Sequence, residues 1–222
     1  MKIILLSLDN DIGKARRTKI NYDYEIVWGT SSINDLPDDL KNRILRNIPY
    51  NVLDKETHLR RRGCVMYSHM RILKKIIDEN LHNVIVCEDD AILKDNVNIN
   101  DLEKLNLNEA VLLNAKLHHP INYIYDKDFN DKDIIFKEGL NDIDYNKWRW
   151  SCSACIYYPT PKSAEILLNF FNTHKRLTHP DLTLSRNKII KKCYYPSMFL
   201  IKDDGISQIH KSKGLIDNYL VL

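Results

Sequence analysis

The segment 63–93, GCVMYSHMRILKKIIDENLHNVIVCEDDAIL, limits what this 222-residue chain can become more than any other stretch. It reads as a helix, a polar turn, a buried strand and then three consecutive carboxylates, Glu88, Asp89 and Asp90. Met66, Met70, Leu73 and Ile77 recur at i, i+4, i+7 and i+11, which predicts one apolar face of a helix. Arg71, Lys74, Lys75, Asp78 and Glu79 lie off that stripe. Val84, Ile85, Val86 and Cys87 then form an unbroken apolar run, three of them β-branched. Such a run suits a strand covered on both faces by helices. Ligands of open α/β sheets bind at the carboxyl ends of the strands. Carboxylate oxygens placed there are hard ligands, suited to Mg²⁺ or Mn²⁺ carrying a diphosphate. The reading that follows is an enzyme handling a sugar nucleotide.

Strand and helix patterns alternate along the rest of the chain. Residues 2–8 are an apolar strand, 11–21 a basic helix with Arg16 and Arg17, and 24–27 a second strand before the turn at Gly29. A helical pattern over 36–46 ends before Pro49. A short helix near 100–105 precedes a strand at 110–114, and 121–147 looks like an irregular hairpin region. Residues 152–158 read as another strand. Thr160 and Pro161 are a good N-cap and first-turn pair. Ala164, Leu167, Leu168 and Phe171 share a face of the helix that follows. Residues 180–191 are predicted helical and 193–199 extended. This order implies an α/β fold with a mostly parallel sheet and helices on both faces.

Composition excludes several classes. Charged residues make up 28% and the net charge is only +3, without a basic stripe, so no nucleic-acid partner is expected. No segment approaches the ~20 apolar residues of a membrane span. The run Ile3–Leu6 is too short for a secretion signal, and the five cysteines are an odd count that does not suggest a disulfide scaffold. A cytoplasmic, reducing location is the expectation. Cys152 and Cys155 form a C-x-x-C pair, but no second pair or His pair at zinc spacing accompanies them. They read as small core residues.

The motifs resemble glycosyltransferase family 25, which includes bacterial lipooligosaccharide and collagen galactosyltransferases. Leu6-Ser-Leu-Asp9 and Arg16-Arg17 resemble its first strand and Arg pair. Gly63-Cys64, Ser68-His69 and Glu88-Asp89-Asp90 resemble its central signature, although three residues rather than two separate Cys64 from Ser68. His179-Pro-Asp181 and the run 195–207 echo its later elements. The resemblance implies a GT-A fold over residues 1–222 as a single domain, with 1–115 as the nucleotide-binding half and 116–222 as the acceptor-binding half and tail. It also implies a UDP-sugar donor, most often UDP-galactose, Mn²⁺ (or Mg²⁺), and inversion at the sugar. The acceptor would be a glycan or a glycosylated protein, with peripheral membrane contact only through that acceptor.

On this basis Leu8, Asp9, Arg16, Ser68, His69, Glu88 and Asp89 are candidate donor-binding residues. Asp90 is the foremost metal ligand, with Glu88 and the late His210 beside it. Asp181 is the candidate catalytic base, against the plainer reading of a helix-capping carboxylate. His69 by itself would read as a satisfied structural histidine. The run 58–62, His-Leu-Arg-Arg-Arg, is a solvated basic face or an anion grip. Trp148, Trp150, Tyr157 and Tyr158 read as packing residues. Two other classes are compatible with the residues: a glycan or sugar-nucleotide binding module without chemistry, and a metal-dependent nucleic-acid enzyme, which the weak net charge disfavours.

Overall fold

The computed structural model describes residues 1–46, 54–113, 116–118, 137–145, 149–151 and 155–201. The chain opens with β1 (Lys2–Ser7), α1 (Asp11–Arg17), β2 (Glu25–Trp28) and α2 (Asp38–Leu45). Then α3 (Lys55–His58) runs through a π-helical segment (Leu59–Cys64) into α4 (Val65–Asp78). Next come β3 (Val84–Glu88), β4 (Ala91–Leu93), a 3₁₀ segment (Ile99–Leu105), β5 (Val111–Leu112), β6 (Lys116–His118), β7 (Gly139–Asp142) and β8 (Arg149–Ser151). The described residues close with β9 (Ile156–Tyr158), α5 (Pro161–Thr173), α6 (Pro180–Arg186), β10 (Lys192–Tyr195) and β11 (Phe199–Ile201).

Seven strands form the main sheet in the order β2-β1-β3-β9-β5-β10-β7. The α/β class is as expected, but the sheet is mixed. The β1–β2, β1–β3 and β5–β10 pairs are parallel, whereas β3–β9, β5–β9 and β7–β10 are antiparallel. The parallel expectation thus describes the N-terminal half of the sheet. Apolar periodicity carries no strand direction. The route of the connection sets it, and β9 enters between β3 and β5 from the opposite end. Two-stranded ribbons β4–β11 and β6–β8 complete the strands.

Alternation along each strand sorts the core into two layers. Ile4, Leu6, Val84, Val86, Ile156 and Tyr158 face Leu40, Ile44, Met66, Ile72, Ile76, Leu167, Phe171 and Leu184. These last residues come from α2, α4, α5 and α6, so this face is the helical one. Ile3, Leu5, Ile85, Cys87, Cys155 and Tyr157 face Leu102, Met198 and Phe199, with Tyr22 and Tyr24 packed at the edge. A 3₁₀ segment, the β4–β11 ribbon and the segment after α1 therefore cover the second face. Tyr157 and Tyr158 are core residues, as read from the sequence.

The buried stripe of α4 is rotated from the predicted one. Met66, His69, Ile72, Leu73 and Ile76 are buried, while Met70 and Ile77 are only partly so. A count of apolar positions skips His69, yet its ring points inward because a partner awaits it there. The helix ends as predicted: Asn80 and Asn83 adopt left-handed conformations, φ 50° and 53°, which Asn tolerates better than most residues. Thr160 and Ser163 form a reciprocal capping box at the start of α5. By contrast, α6 stops at Arg186, short of the predicted end, and Lys188 takes a positive φ of 56°.

Candidate active site

Glu88, Asp89 and Asp90 leave the carboxyl end of β3, the inner strand of the parallel half, and strand alternation sends neighbours to opposite faces. Asp89 continues the face of Ile85 and Cys87. It is 4% exposed and closed in by partners. Ser7 Oγ donates to its Oδ2 at 2.6 Å, and Arg16 donates to its Oδ1 at 3.2 Å. The next arginine joins the same cluster: Arg17 donates to Ser7 Oγ at 2.5 Å and to the Leu8 carbonyl at 3.0 Å. Asn10 caps α1 by accepting from the Gly13 N–H at 2.7 Å. A Cβ on Gly13 would sit 2.2 Å from the Leu8 carbonyl oxygen, so only glycine lets α1 come this close to the end of β1.

Glu88 continues the face of Val84 and Val86 and meets α4. Its Oε1 lies 3.1 Å from His69 Nε2. Burial pushes the Glu88 carboxyl up, but the hydrogen bond and charge of His69, aided by His179 and Arg16, bring it below the usual range. Glu88 is therefore an ionised acceptor and the His69 ring N–H donates to it. His69 is buried, so the sequence motif marks a satisfied histidine whose partner is an acidic-triplet residue.

Asp181, in the first turn of α6, comes to the same place. Its carboxyl accepts from the Leu182 N–H at 2.8 Å. Burial raises its pKa; the charge of Glu88 adds to the rise, and His179 and His69 oppose it. Residues far apart in sequence, in α4, β3 and α6, are thus electrostatic neighbours. Beyond its place in the His-Pro-Asp run, the sequence carries no separate signal for His179.

Asp90 is the least settled of the triplet. Its Oδ1 is buried and has no hydrogen-bond partner among the described residues. Burial, then the charge of Glu88, pushes its pKa up to about 7. A buried carboxylate oxygen with no donor among the described residues, beside the Glu88 carboxylate, is a place where a cation would be stabilised. The donor set therefore fits a hard divalent ion at Asp90 with Glu88. Among the described residues, no three His, Cys, Asp or Glu side chains form a ready-made metal cluster. Mg²⁺-type sites often use one or two carboxylates and complete their shell with substrate phosphates and water. His210 lies outside the described residues.

The other candidates fall around this centre. Leu8 is half-buried and Asp9 exposed in the turn that follows β1. Ser68 is fully engaged with the backbone: its hydroxyl donates to the Cys64 carbonyl at 2.6 Å and accepts from the Thr30 N–H at 2.8 Å. It fixes the loop after β2, beside Gly29 and Leu8. The run 58–62 is not one solvated basic face. Arg60 pairs with Glu56 at 2.8 Å, whereas Arg61 is buried. Cys155 is buried against Cys87, to which its thiol is hydrogen-bonded, and burial raises its pKa; Cys152 lies outside the described residues. Cys64, Cys87, Cys155 and Cys193 are free thiols. No helix among the described residues is long and apolar enough to cross a membrane.

The family model of glycosyltransferase family 25, described as an LPS biosynthesis protein, matches residues 1–183. That span contains the acidic triplet, Ser68-His69 and Asp181. No curated protein sequence matches the chain. The π-helical segment Leu59–Cys64 ends just before the three residues, Val65, Met66 and Tyr67, that separate Cys64 from Ser68 in α4. A π turn takes up more residues than an α turn. Gly63, within that wider turn, packs against Leu36 and Ile44, and from the α-helical turn that follows Ser68 reaches Thr30 and His69 reaches Glu88.

Proposed function

The chain belongs to glycosyltransferase family 25, and on that premise we propose that it moves a hexose, with galactose the first candidate, from a UDP-sugar to a hydroxyl of a glycan or glycosylated protein, inverting the sugar. The observation that carries this reading is Asp90, a half-buried side chain just past the carboxyl end of β3 whose Oδ1 is buried with no hydrogen-bond partner among the described residues. A divalent cation bound there, Mn²⁺ or Mg²⁺, would offset the charge that develops on the departing diphosphate. Asp90 and Glu88 would hold it, with His210 as a further candidate. His69 keeps Glu88 ionised and oriented. Asp89 is already engaged by Ser7 and Arg16, so it shapes the loop after β1 and leaves the other two carboxylates to the substrate.

Asp181 serves as the base that takes the acceptor proton. A general base works best when its pKa lies near the operating pH, and burial moves Asp181 in that direction. Its neighbour Glu88 is moved the other way. Two carboxylates whose environments separate their pKa values are the usual mark of divided roles.

A thermal-shift panel of UDP-sugars with and without MnCl₂ tests the reading. UDP-galactose with Mn²⁺, at a hundredfold excess over its Kd, should stabilise the protein by about 2.7 kcal/mol. Asp90→Asn should lose that shift without lowering the melting temperature of the unliganded protein. If no UDP-sugar shifts the wild type and no UDP is released with an acceptor present, the reading fails. A shift in Asp90→Asn with unchanged Mn²⁺ dependence removes the metal assignment alone.

A further inference from the structure

Trp28 is the one aromatic residue among the exposed large apolar side chains of the described residues, 44% open at the end of edge strand β2. It stands at a strand's carboxyl end, the side of an α/β sheet on which ligands bind. Its surroundings are built. The Arg17 guanidinium lies over the ring at 4.8 Å from the centroid. That guanidinium is itself tethered to Ser7 Oγ at 2.5 Å and to the Leu8 carbonyl at 3.0 Å. The ring is therefore backed by a fixed cation while much of its surface stays open. In the β1–β2 register Trp28 stands opposite Ser7, and Ser7 is one hydrogen bond from Asp89. The platform and the acidic triplet thus share one sheet edge and one hydrogen-bonded cluster. The loop after Trp28 is held as well: Gly29 N–H donates to the Ser7 carbonyl at 2.8 Å, and Thr30 N–H donates to Ser68.

We propose that Trp28, backed by Arg17, is the platform on which the nucleobase of the donor stacks, with the diphosphate extending from there toward Asp90. Stacking on an indole uses the π-face that every base has, and Arg17 holds a cation against the ring while 44% of the residue stays exposed. This assignment rests on the reading of the donor as a nucleoside-diphosphate sugar.

Calorimetric titration of the full chain with UDP and Mn²⁺, in wild type, Trp28→Phe and Trp28→Ala, tests it. Loss of one base–aromatic stack should weaken UDP binding roughly ten- to a hundredfold in Trp28→Ala. Trp28→Phe retains an aromatic face and should stay within about threefold of wild type. If Trp28→Ala melts early, Trp28→Leu replaces it, since leucine keeps apolar bulk without a π-face. Unchanged UDP affinity in Trp28→Ala or Trp28→Leu overturns the platform, and so does a Trp28→Phe variant as weak as either. Failure of the wild type to bind UDP is a different result: it removes the donor reading on which the platform rests.

Discussion

The two sides of the β3 terminus use the same residue types for opposite purposes. On the α1 side Asp89, Ser7, Arg16 and Arg17 form a closed cluster in which the carboxylate is buried and both of its oxygens have donors. On the α4–α6 side Glu88, Asp181, His69 and His179 are titratable groups crowded together, with carboxyl pKa values displaced in both directions, and Asp90 near Glu88 has one buried oxygen with no hydrogen-bond partner among the described residues. The first arrangement fixes a shape. The second holds charge that a proton, or a cation carrying a diphosphate, can answer. Glu88 and Asp89 are adjacent in the chain, so composition does not separate them. The pleat does, by pointing one at α4 and the other at α1.

The contrast can be broken at its closed side with the largest effect. Asp89→Ala removes the shared acceptor of Ser7 and Arg16 from a buried site. Cutting one partner out of a buried ion pair costs roughly 3–5 kcal/mol, and urea denaturation should show a loss of that size. A loss below about 1 kcal/mol, the worth of an exposed pair, would mean the cluster is not a structural anchor.

The open side should respond in turnover instead. Asp181→Asn keeps the shape of the side chain and removes the proton acceptor, so the transfer rate should fall roughly a hundredfold or more. Donor affinity should barely change. A variant that loses donor or Mn²⁺ binding with an unchanged rate per bound donor would move Asp181 into the metal shell.

The smallest expected effect is on stability against pH, and it sharpens the contrast within the triplet. The Asp90 carboxyl has a pKa near 3.8 when unfolded and about 7 when folded. Between those values the folded state holds the extra proton. The stability tied to that proton is complete below the unfolded value and is lost as pH rises through the folded one. Asp90→Asn should therefore leave stability near pH 4 little changed and raise it at pH 8 by on the order of 2 kcal/mol. Melting curves in EDTA at the two pH values measure the difference. An equal effect at both would show that Asp90 is not held in its protonated form by the fold.

Local physics made much of this legible. The apolar run before Glu88, the capping pair Thr160-Pro161 and the Asn-rich turn after α4 all form as their residues dictate. The acidic triplet stands out in the sequence as a candidate site because it puts charge at the end of a buried strand. Its internal division of labour was hidden, since the partners come from positions 7, 16, 69 and 181. Ser68 shows the same limit: its motif marked it as important, while only its contacts with Thr30 and Cys64 reveal that it positions a loop.

What the sequence by itself determined was the alternation of strands and helices, the buried strand β3 and the place where negative charge collects. Each of these follows from periodicity and from the cost of burying polar groups, which act within a few residues. Tertiary structure alone decided that β9 runs antiparallel between β3 and β5, that α4 turns His69 inward, and that Arg17 lies over Trp28. Strand direction, helix rotation and side-chain pairing are set by which surfaces meet, and surfaces meet only once the chain has closed on itself.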